Sequence, residues 1–223
     1  MKIVSPSVTL LWITPDPEIH IEAAGRTCYK SEDKITKTSA RNFCKKLRTS
    51  GHHAMLEHAC ASFRIVCDRG ISHEIVRHRL ASYAQESTRY CNYGTYKMGN
   101  EISVIQPPID DDKVLEFWED SCRYAELEYL DMLDAGASPQ IARSVLPTCL
   151  KTELVMTANF REFRHFISLR HSKAAHPQIR PIALDIWRIL MGHAPSVFED
   201  LIDETEAIIE AGLLPISPTT DGA

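Results

Sequence analysis

Arg77-His78-Arg79-Leu80-Ala81-Ser82-Tyr83-Ala84-Gln85-Glu86-Ser87-Thr88-Arg89-Tyr90 carries more polar chemistry than any other stretch of the 223-residue chain. Three arginines, a histidine, two serines, a threonine, a glutamine and a glutamate follow an apolar helical lead-in of Ile71, Ile75 and Val76. The segment is therefore tied to a core while it presents donors. An anionic ligand needs such a set: arginine offers a planar fork that matches phosphate or carboxylate oxygens, and hydroxyls add short hydrogen bonds to the same oxygens. The competing reading is a solvated, salt-laced helix face, the commoner fate of a charged run.

The order of the residues favours the ligand site. Arg77-His78-Arg79, then Ser82, Ser87 and Arg89, fill six fixed positions in thirteen of the pattern Arg-His-Arg-x-x-Ser-x-x-x-x-Ser-x-Arg. The pattern closely resembles the signature of the flavin-dependent thymidylate synthases. Ala24-x-Arg26-x-Cys28-Tyr29 is similar to the N-terminal helix of the same family, and Gly51-His52 with Glu57-His58 is similar to a segment that enters its flavin and folate region. Further matches are Ala142-Arg143-x-x-Leu146-Pro147 and the stretch Asn159 to Arg170. The resemblance spans roughly residues 20 to 200 and departs at two places. Glu74 stands where the family more often has glutamine, and Ala175-His176-Pro177-Gln178-Ile179-Arg180 stands for the usual Ala-Gln-x-Glu-Ile-Arg.

Composition sets limits of its own. A chain 44% hydrophobic and 25% charged is ordinary for a globular protein of one domain. A formal net charge of −5 argues against a surface that grips nucleic acid throughout; the basic residues are focused. Seven cysteines with no Cys-x-x-Cys pair fit neither a disulfide framework nor a zinc ribbon, so a reducing cytoplasm is expected. Met1-Lys2-Ile3-Val4-Ser5-Pro6 lacks the apolar core of a signal peptide, and no apolar run approaches the length of a membrane span. No Gly-x-Gly-x-x-Gly and no Gly-x-x-x-x-Gly-Lys occurs, so a dinucleotide must be held by other means.

Taken in order, the chain reads as a small sheet with helices. Residues 3 to 13 alternate loosely as one strand, Glu18 to Tyr29 turns helical, and Thr38 or Ser39 caps a basic amphipathic helix that stops at Gly51. His52, His53 and His58 with Glu57 lack the spacing of metalloprotease motifs, so no metal is expected. Residues 59 to 67, 102 to 106 and 152 to 157 read as strands. Long helices are expected from about Asp111 to Leu133, from Asn159, and over 178 to 193 and 196 to 210. The fold class is α+β: one catalytic domain over 1–214, a small mixed or antiparallel sheet flanked by long helices, and a flexible tail over 215–223.

The resemblance implies a homotetramer with sites shared between subunits, bound to FAD, that reductively methylates dUMP to dTMP. Methylenetetrahydrofolate would give the carbon, and NADPH would reduce the flavin. By resemblance, Arg170 is the catalytic residue, the cation that stabilises charge as the pyrimidine ionises. Glu74, Arg77, Gln85, Glu86, Ser87, Thr88, Arg89, Arg143 and Arg170 match the dUMP positions. His52, Arg77, His78, Arg79, Gln85, Asn159, Arg161 and His165 match the flavin positions. Ser87 as a nucleophile lacks a visible Ser-His-Asp arrangement, and Cys149 as one lacks a flanking motif. Two other classes remain open: transfer of a hydroxymethyl or related one-carbon unit to another pyrimidine nucleotide, hinted at by Glu74, and a nonenzymatic nucleotide- or RNA-binding module that stacks bases on Tyr83, Tyr90 and Tyr93.

Overall fold

Lys151–Asn159 alternates half-buried and buried residues along its whole length, as a strand covered on both faces does. In the computed structural model, which describes residues 1–203, this strand, β6, is an inner member of a four-stranded sheet. The others are β2 (Ser7–Ile13), β3 (Cys60–Asp68) and β4 (Ala81–Gln85), in the order β2-β3-β6-β4. A second, two-stranded sheet pairs β1 (Lys2–Ile3) with β5 (Ser103–Val104) in parallel, Lys2 opposite Ser103. The single strand expected over residues 3 to 13 is therefore two strands in two sheets. Pro6, which has no N–H to give a ladder, lies in the break.

The helices are α1 (Pro17–Thr27), α2 (Ser39–Thr49), α3 (Arg69–Ile75), α4 (Asp112–Asp134), α5 (Pro139–Ala142), α6 (Phe160–Arg170), α7 (Ile179–His193) and α8 (Pro195–Phe198). The cap expected of Thr38 or Ser39 is not formed, since Thr38 precedes α2 with no side-chain hydrogen bond to its first turn, and Ser138 makes none to α5; α4 and α6 do start on a side-chain cap. Asp111 caps α4 by accepting from Val114 N–H at 3.0 Å, and Asn159 caps α6 by accepting from Glu162 N–H at 2.9 Å. Gly51, at φ 74°, turns the chain after α2 in the left-handed region that glycine tolerates. Of the helix expected over 196 to 210, α8 is the described part; residues 204–210 and the tail from 215 lie outside the described residues.

Contacts divide the chain into two units. The first comprises Met1–Ser7, Val66–Arg77 and Ala84–Leu154. Its core gathers Tyr93, Ile102, Val104, Cys122, Tyr129, Ala142 and Leu150. The second comprises Val8–Ile65, His78–Tyr83 and the chain from Val155. Its core is aromatic: Phe63 meets Phe163 edge-on at 5.2 Å, Phe160 meets Phe198 at 5.1 Å, and Trp187 Nε1 donates to the Phe198 carbonyl at 3.0 Å.

Candidate active site

The signature is not helical. α3 ends at Ile75, residues 76–80 turn, 81–85 form β4, and 86–90 leave it as an irregular segment. Arg77 N–H bonds the Glu74 carbonyl and Ala81 N–H bonds the His78 carbonyl, which fixes the turn. The turn exposes Arg77 and Arg79 and buries His78, which is only 4% exposed.

In the second unit, His78 is held on every side. Its Nδ1 lies 3.1 Å from Glu162 Oε1, and its Nε2 accepts from Arg170 Nε at 3.1 Å. Tyr83 Oη donates to its carbonyl at 2.9 Å, and Phe166 meets its ring edge-on at 4.9 Å. Because an arginine Nε can only donate, His78 Nε2 must offer a lone pair, and the ring proton must sit on Nδ1, facing Glu162. Burial pushes the His78 pKa below the ordinary histidine value; the Glu162 hydrogen bond opposes this shift and the Arg170 charge reinforces it. Burial likewise pushes the Tyr83 hydroxyl up, with the Glu162 charge adding to the shift. His165 stands 5.3 Å from the His78 ring, and the ligating atoms of His78, Glu162 and His165 fall within 4.8 Å of one another. Such a spacing is seen in metal sites. Here both nitrogens of His78 are already engaged, one of them by a cation, so the cluster reads as a hydrogen-bond chain.

The remaining second-unit residues differ in what they have to offer. Asn159 spends its side-chain oxygen on the α6 cap, and Arg161 pairs with Glu57 at 2.7 Å on the surface. His52 is exposed at the head of the tight turn over His53–His58. Arg79 is exposed and makes no ion pair among the described residues, so its guanidinium is available to an anionic ligand.

In the first unit, the segment after β4 builds a second cluster of donors. Ser87 Oγ accepts from Arg89 N–H at 3.3 Å, and no histidine or carboxylate shares that hydroxyl among the described residues. The nucleophile reading thus lacks its base. Arg89 Nε donates to Gln140 Oε1 at 3.1 Å, and Arg143 Nη1 donates to the buried Thr88 Oγ1 at 3.3 Å. Both arginines are oriented by neutral partners and keep their charge. Arg77 is exposed, also without an ion pair among the described residues. Gln85 donates to Ser72 Oγ at 2.9 Å and to Thr152 Oγ1 at 3.2 Å, which leaves its carbonyl oxygen for a ligand. Glu86 accepts from Tyr93 Oη at 2.7 Å and from Lys151 Nζ at 3.1 Å. Glu74 is half-buried on α3. Cys149 lies 3.4 Å from the Cys122 sulfur, and burial pushes its thiol up, which opposes the thiolate a nucleophile needs.

Sequence reasoning missed Glu162, Gln140, Ser72 and Lys151. Glu162 occupies the third position of α6 after an asparagine cap, where a glutamate reads as half of a capping box. Only its burial, at 5% exposed, marks it as something else.

Residues 9–196 match the family model described as thymidylate synthase complementing protein. A flavin-dependent thymidylate synthase of Geobacter sulfurreducens is 34% identical over 201 residues, covering 86% of this chain and 85% of its own. The chain belongs to the flavin-dependent thymidylate synthase family. A family member from Mycobacterium avium is 37% identical over 211 residues, covering 83% of this chain and 82% of its own. Among solved structures, the UMP/dUMP methylase PolB from Streptomyces cacaoi, bound with 5-Br dUMP, superposes with a TM-score of 0.76. At 24% identity, over 89% of this chain and 96% of that one, the likeness is one of fold.

Proposed function

We propose that this family member methylates dUMP to dTMP, with methylenetetrahydrofolate as the carbon donor and NADPH as the reductant. The observation that carries the reading is Arg170 seated on a buried, neutral histidine of the signature. Carbon 5 of a uracil becomes nucleophilic only as negative charge spreads over the ring, and a preoriented guanidinium stabilises that charge better than mobile water does. Arg170 is assigned this task. Ser87, Thr88, Arg89 and Arg143 are assigned to the nucleotide phosphate and sugar, a role supported by arginines that have no carboxylate partner among the described residues.

The donor chemistry also fits FAD. Exposed Arg77 and exposed Arg79, each without an ion pair among the described residues, suit a diphosphate, and exposed His52 and His165 suit polar edges of the cofactor. Gln85, Asn159 and Arg161 contribute what their internal partners leave. FAD supplies the hydride chemistry when bound. His78, with both nitrogens engaged, is a positioning group in this scheme.

A homotetramer is proposed as the working form. α4 buries only Cys122 and Tyr129 and exposes Val114, Phe117, Tyr124 and Leu127, apolar surface that a second copy would cover. The cytoplasm is proposed as its compartment: all seven cysteines are free, and no described helix is long and apolar enough to cross a membrane.

The test is the visible spectrum of the purified protein, then anaerobic NADPH with and without dUMP, then mass spectrometry of the product formed with methylenetetrahydrofolate. A flavin band that bleaches at a rate sensitive to dUMP, and a product of the mass of dTMP, are expected. A colourless protein that takes up no FAD, or a hydroxymethylated product, overturns the reading.

A further inference from the structure

We propose that Glu162, which lies outside the signature, is the positioning residue of the site. Its carboxylate holds His78 in the Nδ1–H form, so that Nε2 accepts from Arg170 Nε and fixes the plane of the guanidinium. The inference rests on the charge-stabilising role proposed for Arg170. Its geometry is independent of that role.

Three features set the chain of contacts. Glu162 is 5% exposed and His78 4%, so neither exchanges its partner for water. The carboxylate sits in the first turn of α6, where the helix dipole favours negative charge, and its backbone N–H is already taken by Asn159. In the usual capping box the glutamate side chain turns back to the cap residue; here it is bonded to His78 instead. The Nδ1–H form is the less common tautomer of a free imidazole, so an acceptor at Nδ1 is what selects it. With Nε2 bare, Arg170 loses rotational freedom at Nε while its terminal amino groups stay at the end of a fixed fork.

Protonation would undo the arrangement. An imidazolium carries a proton on both nitrogens and would set N–H against N–H at Arg170. Among the described residues, the charged and titratable groups facing His78 are Glu162, His165 and Arg170 of α6 and the Tyr83 hydroxyl of β4. Burial holds its pKa down, so turnover should be lost on the acid side as His78 gains its second proton, below the ordinary histidine value. Glu162 is the group that opposes that shift. Glu162→Gln keeps an acceptor but removes the charge, and the acid limb should move to still lower pH. A residue that merely fills space would leave the limb in place.

The experiment uses ¹⁵N-histidine NMR on the full chain, with His78→Asn to identify the signal, and pH profiles of dTMP formation. Wild type and Glu162→Gln should show an Nδ1–H histidine, and Glu162→Leu should lose it. For Glu162→Leu, kcat should fall about 10- to 100-fold, the scale of a misoriented catalytic group, with a smaller change in KM for dUMP. An Nε2–H tautomer in the wild type, a Glu162→Leu kcat within about twofold of wild type, or an acid limb unmoved in Glu162→Gln would each overturn the proposal. The tautomer is read without turnover. A wild-type protein that forms no dTMP would therefore sink the assigned reaction, while the NMR comparison would still decide the role of Glu162.

Discussion

Arg89→Ala should weaken dUMP binding by an amount that the geometry sets. Arg89 Nε is tied to Gln140 Oε1, and the guanidinium carbon lies 5.2 Å from the centroid of the Tyr90 ring. One edge of the fork is thus anchored, and the terminal amino groups are left for a phosphate. A hydrogen bond to a charged group contributes about 1.5–3 kcal/mol. Arg89 is exposed, so screening places it in the lower part of that range, about 1.5–2 kcal/mol, or about 10- to 30-fold in Kd. Calorimetric titration with dUMP and with deoxyuridine isolates the phosphate: Arg89→Ala should lose affinity for the nucleotide and leave the nucleoside within about twofold. Arg89→Lys should recover part of the loss, because it restores charge without the fork. Added salt should weaken dUMP binding less in Arg89→Ala than in wild type. Equal losses for nucleotide and nucleoside, or a Kd for dUMP within about twofold of wild type, would refute the assignment.

Arg170→Ala should lower turnover by on the order of 100- to 1,000-fold while the flavin spectrum persists; near-normal turnover would contradict the role given to Arg170. Asn159→Ala removes the α6 cap and should cost about 1 kcal/mol in urea unfolding, whereas Asn159→Asp, which still accepts from Glu162 N–H, should cost less. Phe163→Ala opens a cavity beside fully buried Phe63 and should cost about 3–5 kcal/mol by the same assay. Burial raises the Asp200 carboxyl, but hydrogen bonds and charge from Arg164, with charge from Arg48, outweigh it and leave the pKa lowered. Such a group stabilises the fold above its unfolded pKa, about 3.9, and loses that contribution as pH falls through the lower folded value. Wild type should therefore exceed Asp200→Asn in stability at neutral pH, and the two should converge in strong acid; a constant gap would show that the ion pair is not the cause.

Much of this was legible in the sequence because its signals are local. Proline at the start of α5, the aspartate before α4 and glycine after α2 each act on their own backbone, and each element lies within a few residues of where spacing puts it. What stayed hidden depends on partners far along the chain. β4 is five residues long, and its polar, weakly alternating sequence carries no strand signal; its pairing in the sheet with β6 supplies what the sequence does not announce. Residues 3 to 13 alternate loosely around Pro6, and it is the pairing of β1 with β5 that shows them to be two strands. The signature residues were legible as a set of donors, but not their division into exposed arginines and a buried histidine. That division follows from a turn held by main-chain hydrogen bonds together with the Tyr83 hydroxyl, which donates to the His78 carbonyl. Glu162 was invisible because its partner is 84 positions away.

Glu86, Glu162 and Glu57, set among these basic clusters, then acquire a common explanation. A carboxylate near a phosphate-binding arginine ordinarily costs affinity, by neutralising the arginine or by repelling the ligand. Glu86 directly precedes Ser87, yet its two oxygens are taken by Tyr93 and Lys151, and Lys151 also bonds Glu153 at 2.5 Å. The lysine absorbs the negative charge, and Arg89 and Arg143 keep neutral partners, glutamine and threonine. In the second unit Glu162 is spent on His78, and the arginine that follows it in the chain of contacts is met through a neutral ring. Glu57 takes Arg161, which lies on the surface. In each case the carboxylate orders its surroundings without cancelling the guanidinium assigned to the nucleotide. Substrate affinity in this protein should accordingly be more sensitive to Lys151→Met, which releases the charge of Glu86 beside Ser87, than to removal of Glu86 itself.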